Sequence, residues 1–474
     1  MIRVKLFPHL RHYSSNPNTT FVYDVQTGYL IEAPDEVATI LEIATENHSG
    51  IEEIIPDITE LFCNRGFDTT VISNSISLSL NLVADGIIGR SSASNEHLDM
   101  NYNTLALLTS PHCQLNCNYC YANSGNFGIT EYTESMTFDT AKKAVDFYFN
   151  LLGNKEEYNI LFFGGEPLLD FCLIRKIVKY AESEAYLRNG QISFVISTNG
   201  LLVTDEVAEY FKAHNFTVRI SIDGNESQHN THRKALINGN DSFSLIKSAI
   251  SSLKKAYGSV KGNAVITSNE FNFAKITSQL LAEGITEVAQ TIVTSQPNTP
   301  WALTPDMLRE YVLSYKKGIT DLLSDKNTPS GYMDSLSAII KMRIAERNGE
   351  EFCGIGDHGL AVDSYGRIYA CHRTVGDERY KVGDLEKGID EAKNREIKQN
   401  ASAKNTLGCR SCWAIKICGG RCYAESMFSN GKPNIPDSYG CYQMINTIET
   451  ILELYVKMIK ENSNSSSNAQ TIQL

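Results

Sequence analysis

Between residue 104 and about residue 300 the chain alternates short, nearly unbroken apolar runs with segments whose apolar residues recur at three-and-four spacing. The runs "TLALLTS" (104–110), "YNILFFGG" (158–165), "SFVISTNG" (193–200), "TVRISIDG" (217–224), "KGNAVITS" (261–268) and "EVAQTIV" (287–293) predict strands. The segments 139–152, 170–188, 204–213, 243–257 and 272–283 predict helices. Strands apolar on both faces, alternating with helices, mean an α/β fold with a parallel sheet covered by helices. Several of these strands end in Gly, Ser, Asn or Asp, the residue types that meet ligands at the carboxyl edge of such sheets. Upstream, "TFVYDVQTGYLIEA" (20–33) has the period of a strand pair about a turn at Gln26-Thr27-Gly28. "PDEVATILEIA", with Pro34 at its start, and "IEEIIPDITELFCNRGF" predict short helices after it. Downstream of a helical passage at 305–348, "LAVDSYGRIYACH" predicts a hairpin turning at Ser364-Tyr365-Gly366. The chain closes on an amphipathic helix, "YQMINTIETILELYVKMIKE", and a tail too polar to fold alone. These changes of pattern divide it into a module at 1–90, a Ser- and Asn-rich linker at 91–103, a strand–helix domain at 104–340, a cysteine-rich domain at 341–445, and a helix with a disordered tail at 446–474.

Composition narrows the function. At 474 residues the chain exceeds one ordinary core, and 42% hydrophobic content supplies enough apolar surface for two or three. The start, "MIRVKLFPHLRHYSSN", lacks a signal-peptide pattern, and no apolar run is long enough for a bilayer, so the expectation is a cytoplasmic protein without a membrane partner. Twelve cysteines in a reducing compartment point to metal binding or catalysis rather than to disulfides. A net charge of −12 without a basic stripe argues against nucleic acid.

Cys113, Cys117 and Cys120 fall in "LALLTSPHCQLNCNYCYANSG" (105–125), directly after the first strand of the sheet, with Tyr119 just before the last thiol. Three thiolates leave one iron of a four-iron cluster without a protein ligand, and an open metal position is what a catalytic site keeps for substrate or cofactor. Three buried cysteines, or a zinc loop recruiting His112, are the alternatives; zinc asks for a fourth ligand at regular spacing. The Cys-x3-Cys-x2-Cys spacing with its aromatic resembles the signature of the radical S-adenosylmethionine (SAM) superfamily residue for residue. That resemblance implies a partial (β/α)6 barrel, a [4Fe-4S] cluster on Cys113, Cys117 and Cys120, and SAM on the open iron. One-electron reduction then cleaves the sulfonium and yields a 5′-deoxyadenosyl radical that abstracts hydrogen. The family uses a motif like "FFGGEPLL" to hold the methionyl amino group, which implies that role for Gly164, Gly165 and Glu166. Glycine admits close backbone approach and Glu166 is a charge partner for an ammonium. By the same resemblance Tyr119 packs near the adenine, and Ser197 and Asn199 of "STNG", with Ser221 and Asp223 of "SIDG", form the ribose- and substrate-side edges. Taken alone, the tetrapeptides read as strands ending in turns, and Tyr119 as a core tyrosine.

Seven further cysteines follow: Cys353, Cys371, Cys409, Cys412, Cys418, Cys422 and Cys441. Their spacing about Gly366 resembles the SPASM extension of radical SAM proteins, which carries two auxiliary [4Fe-4S] clusters. The resemblance implies one cluster on Cys409, Cys412, Cys418 and Cys441 and another on Cys353, Cys371 and Cys422, three clusters in all. It departs from the sulfatase-maturase pattern, because no extra cysteine lies between Cys353 and Gly366. That leaves a vacant iron, or Asp357 or His358 as its ligand. A zinc ribbon, the alternative, would use four of the seven thiols and leave the rest idle. Cys63 and Cys172, outside both patterns, read as buried small hydrophobes. "GIGDHG" (354–359) spells a dinucleotide fingerprint but neither follows a strand nor opens a helix, so it reads as a loop.

Auxiliary clusters suit a net oxidation. The N-terminal module resembles the winged-helix-like recognition element that captures the leader of a ribosomally made peptide as an added strand. A DNA-binding winged helix is the alternative, but residues 1–95 hold five Lys and Arg against twelve Asp and Glu. The expectation is a peptide maturase that takes a hydrogen from a leader-bearing precursor and forms a thioether between a Cys sulfur and a carbon, reduced by a flavodoxin or ferredoxin. Alternatives are a carbon–carbon or carbon–oxygen crosslinker, a sulfatase-maturase-like formylglycine-generating enzyme, and a non-catalytic iron–sulfur electron-transfer protein. Against the sulfatase reading stand the missing cysteine and His372, which occupies the place where that family carries an acidic base. His372 is itself the candidate base.

Overall fold

The computed structural model of the protein describes residues 4–7, 19–89, 102–130, 133–236, 241–294, 299–324 and 353–463. Residues 90–101, which include most of the expected linker at 91–103, the helical passage beyond 324 and the tail from 464 lie outside the described residues.

In the N-terminal module, β1 (Val4–Phe7), β2 (Thr19–Asp24) and β3 (Leu30–Pro34) form an antiparallel sheet in that order. The β2–β3 turn holds Gly28 at φ 81°, a conformation open to glycine without steric cost. Asp24 fixes the same turn, its carboxylate accepting from the Gln26 and Thr27 amides at 2.9 and 2.6 Å. Three helices follow, α1 (Asp35–Glu46), α2 (Ile51–Asn64) and α3 (Thr69–Ala84). The sequence pattern missed α3, because "ISLSLNL" alternates like a strand; its buried Ile72, Ser75 and Ser79 have helical spacing instead.

The central domain runs β4 (Thr104–Ser110), β5 (Leu115–Cys117), β6 (Glu157–Gly164), β7 (Gln191–Thr198), β8 (Phe216–Ser221), β9 (Arg233–Ala235), β10 (Lys261–Ile266) and β11 (Glu287–Ile292). Six of these line up as β11-β10-β8-β7-β6-β4, each parallel to its neighbours, as the apolar runs predict. Between them lie α4 (Phe138–Leu152), α5 (Phe171–Leu187), α6 (Asp205–Ala213), α7 (Glu226–His232), α8 (Ser242–Tyr257) and α9 (Phe273–Ala282). Caps start the helices where the pattern places them: Thr137, Asp170, Thr204, Asp241 and Asn272 each accept from an amide two or three residues inside the helix. Leu105 and Leu107 join the core under the helices, whereas Ala106 and Leu108 face the opposite cluster with Phe163 and Tyr369. Phe162, Phe194 and Phe216 stack across three strands, with centroids 5.0 to 6.0 Å apart.

The cysteine-rich region does not stand apart from this sheet. β12 (Gly359–Val362) pairs parallel to β4, with Leu360 opposite Leu105, and β13 (Arg367–Tyr369), β14 (Lys381–Asp384) and β15 (Gly388–Ile389) extend the sheet to ten strands. The hairpin turns as expected at Ser364–Gly366, and "GIGDHG" is a turn leading into β12. Tyr102, at the end of the expected linker, is buried and accepts from Asn394 Nδ2 at 2.7 Å. A helix over Ser438–Ser463 contains Cys441 and runs across the boundary drawn at 445. Among the described residues no helix is long and apolar enough to cross a membrane.

A small pairing that the pattern did not reveal fixes the three-cysteine loop: β5 runs antiparallel to β9, with Cys117 opposite Arg233. Arg233 then reaches Asp223 through Nε and Nη2 at 2.9 and 3.2 Å, and both side chains are buried. Tyr119 donates its hydroxyl to the same carboxylate, which also accepts from the Val265 amide at 2.9 Å. Burial pushes the Asp223 carboxyl up, but the Arg233 charge and these donors outweigh it and hold it below its ordinary value. Asp223→Asn leaves the Arg233 charge uncompensated in the interior, so denaturant unfolding should show a loss of about 3–5 kcal/mol.

Candidate functional site

Cys113, Cys117 and Cys120 line a cavity of about 390 Å3 at the carboxyl ends of the parallel strands. Cys113 Sγ accepts from the Leu115 amide at 3.4 Å and Cys120 Sγ from the Ser124 amide at 3.3 Å. Burial pushes the Cys113 thiol up to about 11 and the Cys117 thiol up to about 12; Arg233 opposes the latter shift. Such thiols are protonated at neutral pH until a metal charge compensates the thiolate.

The glycines of "FFGGEPLL" make room first for the cysteine loop itself. Gly164 sits at φ 138°, and a Cβ on Gly165 would meet His112 O at 2.2 Å and Ser124 O at 2.6 Å. The Glu166 amide donates to His112 O at 2.8 Å, so the Gly-Gly corner and the loop backbone lie one on the other. Glu166 is buried; its carboxylate accepts from Thr198 Oγ1 at 2.8 Å, the Asn199 amide at 2.8 Å and the Leu168 amide at 3.1 Å. Burial pushes that carboxyl up to about 7, opposed only in part by these donors.

Gly164, Gly165, Glu166, Ser197, Asn199 and Ser221 all line the cavity. Asn199 Nδ2 donates to Gln114 Oε1 at 3.2 Å and lies 3.7 Å from Cys113 Sγ. Asp223 is absent from the lining: its carboxylate turns inward to Arg233 and Tyr119. Tyr119 lines the cavity with its ring 5.5 Å from both the Arg233 guanidinium and the His232 ring. Arg233 lines the cavity too, a positive charge that sequence reasoning passed over. The only cue was a basic residue following the strand-end Asp223 in "SIDGNESQHNTHRKA".

The remaining thiols gather in two neighbourhoods, one with Cys353, Cys371 and Cys422 and one with Cys409, Cys412, Cys418 and Cys441. Beyond what burial does, Cys422 and Cys371 raise the Cys353 thiol and Cys422 raises that of Cys371; Cys418 and Cys412 raise the Cys409 thiol, and Cys418 and Cys409 that of Cys441. Among the described residues no three His, Cys, Asp or Glu side chains converge on a single-ion position, so this grouping rests on neighbourhood rather than on coordination geometry. As a donor set, clustered soft thiols walled by apolar residues fit iron–sulfur ligation. Asp357 is buried and ion-paired with Lys398 at 3.1 Å, while His358 is partly exposed beside it at 3.4 Å. His372 is half-buried, edge-on against Phe163 at 4.9 Å; desolvation and the Arg373 charge push it down to about 4, leaving a neutral ring. Cys63 and Cys172 are exposed, contrary to the expectation of buried hydrophobes. Each falls beside, not on, the apolar stripe of its helix, which passes through Ile54, Ile58 and Phe62 in α2 and through Leu173, Ile174 and Ile177 in α5.

Two residues join the cysteine sets. The Tyr121 ring lies under the Arg373 guanidinium at 4.9 Å, near Cys120, Cys371 and Cys422. Arg373 Nη1 lies 3.6 Å from Cys422 Sγ and donates to Glu425 at 2.7 Å, and Arg373 also lines the cavity.

Residues 107–271 match the family model described as the radical SAM superfamily. The chain is 26% identical over 337 residues to the radical SAM cyclopropyl synthase TigE of Paramaledivibacter caminithermalis, covering 67% of each chain. It is 25% identical to a cysteine-type anaerobic sulfatase-maturating enzyme of Clostridium novyi, covering 70% of this chain and 90% of that one. An uncharacterized Methanocaldococcus jannaschii protein matches at 43% identity over 122 residues, 26% of this chain and 39% of its own length. Among solved structures, anSMEcpe with bound AdoMet superposes with a TM-score of 0.62 at 20% identity, over 76% of this chain and 99% of that one. Streptococcus suis SuiB bound to its precursor peptide SuiA reaches a TM-score of 0.50 at 16% identity, over 89% and 96%. The matched region runs from within β4 through β10 and includes the three-cysteine loop at their carboxyl edge, so residues 107–271 are a radical SAM domain.

Proposed function

We propose that the protein is a radical SAM peptide maturase that installs thioether crosslinks, from a Cys sulfur to a carbon, in a ribosomally made precursor. One observation carries the reading: the cavity lined by Cys113, Cys117 and Cys120 is also lined by Arg373, which is tied to the second cysteine set through Cys422. Its relatives by sequence include maturating enzymes, and one structural neighbour, SuiB, is bound to a precursor peptide.

When bound, SAM and its cluster supply a hydrogen-abstracting radical, and auxiliary clusters supply an acceptor for the substrate's second electron. The chain's own residues bind and orient. Cys113, Cys117 and Cys120 are the ligands proposed for the SAM-binding cluster, with Cys353, Cys371 and Cys422, and Cys409, Cys412, Cys418 and Cys441, for two auxiliary ones. Glu166 offers buried negative charge for the methionyl ammonium, beside Gly164 and Gly165; Ser197, Asn199 and Ser221 offer polar atoms along the same edge. Tyr119 forms an apolar wall, and Asp223 serves by holding Arg233 and Tyr119 in place. The N-terminal sheet is proposed to take up the leader, and a flavodoxin or ferredoxin to supply electrons. His372, neutral and weakly basic, is a poor acceptor for a thiol proton.

A second reading has its own support: the relative TigE is named a cyclopropyl synthase, so a carbon–carbon bond is an alternative product. Co-expression with the precursor should give a product lighter by two hydrogens per link, and iodoacetamide should then label fewer cysteines. Loss of two hydrogens with every thiol still labelled selects a carbon–carbon or carbon–oxygen product, and an unchanged precursor mass rejects all three.

Only the ionised Glu166 attracts an ammonium, so SAM affinity measured by calorimetry should rise with pH through about 7. In Glu166→Gln binding should weaken and that pH dependence vanish. Cys117→Ala should abolish 5′-deoxyadenosine formation, whereas Cys412→Ala should retain part of it and stop peptide modification; equal loss of both activities in both variants removes the division of labour.

A further inference from the structure

The N-terminal sheet is buried on both faces. Val22, Ile31 and Ala33 pack under the module's own helices. Phe21, Tyr23, Val25 and Leu30, on the other face, pack against Ala414, Ile417, Ile448 and Leu452, with Cys412, Trp413 and Cys418 at the edge of the same cluster. The module thus docks on the loop that carries two of the C-terminal thiols, Cys412 and Cys418, and on the helix that contains Cys441.

Tyr23 sits at the centre of this joint. It is wholly buried, and its ring stands edge-on to Trp413 at 6.1 Å and 81°. Its hydroxyl is buried without a hydrogen-bond partner in the described structure. Buried hydroxyls ordinarily find acceptors, because desolvating one without compensation is costly. Two acceptors lie near it, the Asp24 carboxylate and the Cys412 sulfur; the carboxylate is already taken up by the Gln26, Thr27 and Gly89 amides, which leaves sulfur for the hydroxyl. A loop of 3-10 turns and a four-residue helix over Cys409–Cys418 has little regular backbone of its own to hold Trp413, Ala414 and Ile417 in position. A multi-iron group bonded at Cys409, Cys412, Cys418 and Cys441 would hold it.

We propose that the auxiliary cluster of Cys409, Cys412, Cys418 and Cys441 is the clasp that fastens the N-terminal module to the catalytic domain, with Tyr23 donating its hydroxyl hydrogen to a sulfur of that cluster. Tyr23 is then a positioning residue that links the peptide-capturing module to the cluster's electronics, and a chain lacking the cluster loses the seat of that module. This rests on the cluster assignment in the proposed function.

Hydrogen bonds to cluster sulfurs raise the reduction potential. In the anaerobically reconstituted full chain, Tyr23→Phe keeps the ring packing and removes only the donor. It should lower the midpoint potential of one cluster that does not respond to added SAM, or shed that cluster's iron, while the SAM-responsive cluster stays unchanged. In Cys412→Ala, hydrogen exchange in β2 and β3 should rise while β6 to β8 keep their protection. If Cys412→Ala loosens the barrel strands as well, Tyr23→Phe alone decides. Full iron with unchanged potentials in Tyr23→Phe overturns the hydrogen bond, and unchanged exchange in β2 and β3 overturns the clasp. A wild-type chain that takes up no iron overturns the cluster assignment along with it, and iron analysis tells the two failures apart.

Discussion

The buried ion pair between Arg233 and Asp223 is the constraint on which the site depends. The three-cysteine loop carries little regular structure of its own; it is held because β5 pairs with β9, and β9 is held because Arg233 closes on an aspartate at the end of a neighbouring sheet strand. A buried pair of this kind is weak as a source of net stability, since desolvation offsets most of the attraction. Its contribution here is to specify one loop conformation. Tyr119 shares the same carboxylate, so the residue before the last thiol is fixed by the contact that fixes the strand.

The Gly164-Gly165 corner is the second half of that constraint. A side chain at Gly165 would strike the backbone of the cysteine loop, so the glycines set the depth at which the loop rests on the sheet. Glu166 follows directly and is turned into the interior, where it ties the end of β6 to Thr198 and Asn199 at the end of β7. The same residues that wall the cavity therefore also hold neighbouring strand ends together.

Continuity of the sheet does for the second cysteine set what the ion pair does for the first. Because β12 pairs with β4, the region carrying Cys371 is anchored to the strand that leads into Cys113. Tyr121 and Arg373 fill the space between the two sets, with Arg373 held on its far side by Glu425 and Glu425 in turn by Arg421 at 3.0 Å. The N-terminal sheet joins the assembly through Tyr23 and Trp413.

By itself the sequence determined the parallel sheet, its covering helices and the separation of three thiols after the first strand from seven near the C-terminus, because these rest on local signals: apolar period, caps and fixed spacing. It also marked most of the cavity's polar edge, through the strand ends at Gly164, Ser197 and Ser221. Only the tertiary structure decided that Asp223 turns inward, that Arg233 faces the cavity, that "ISLSLNL" is helical, and that Cys63 and Cys172 are exposed. It alone joined β12 to β4 and seated the N-terminal sheet on the Cys412 loop. Each of these outcomes depends on which partner, distant along the chain, offers the better burial or the opposite charge, and no window of neighbouring residues carries that information.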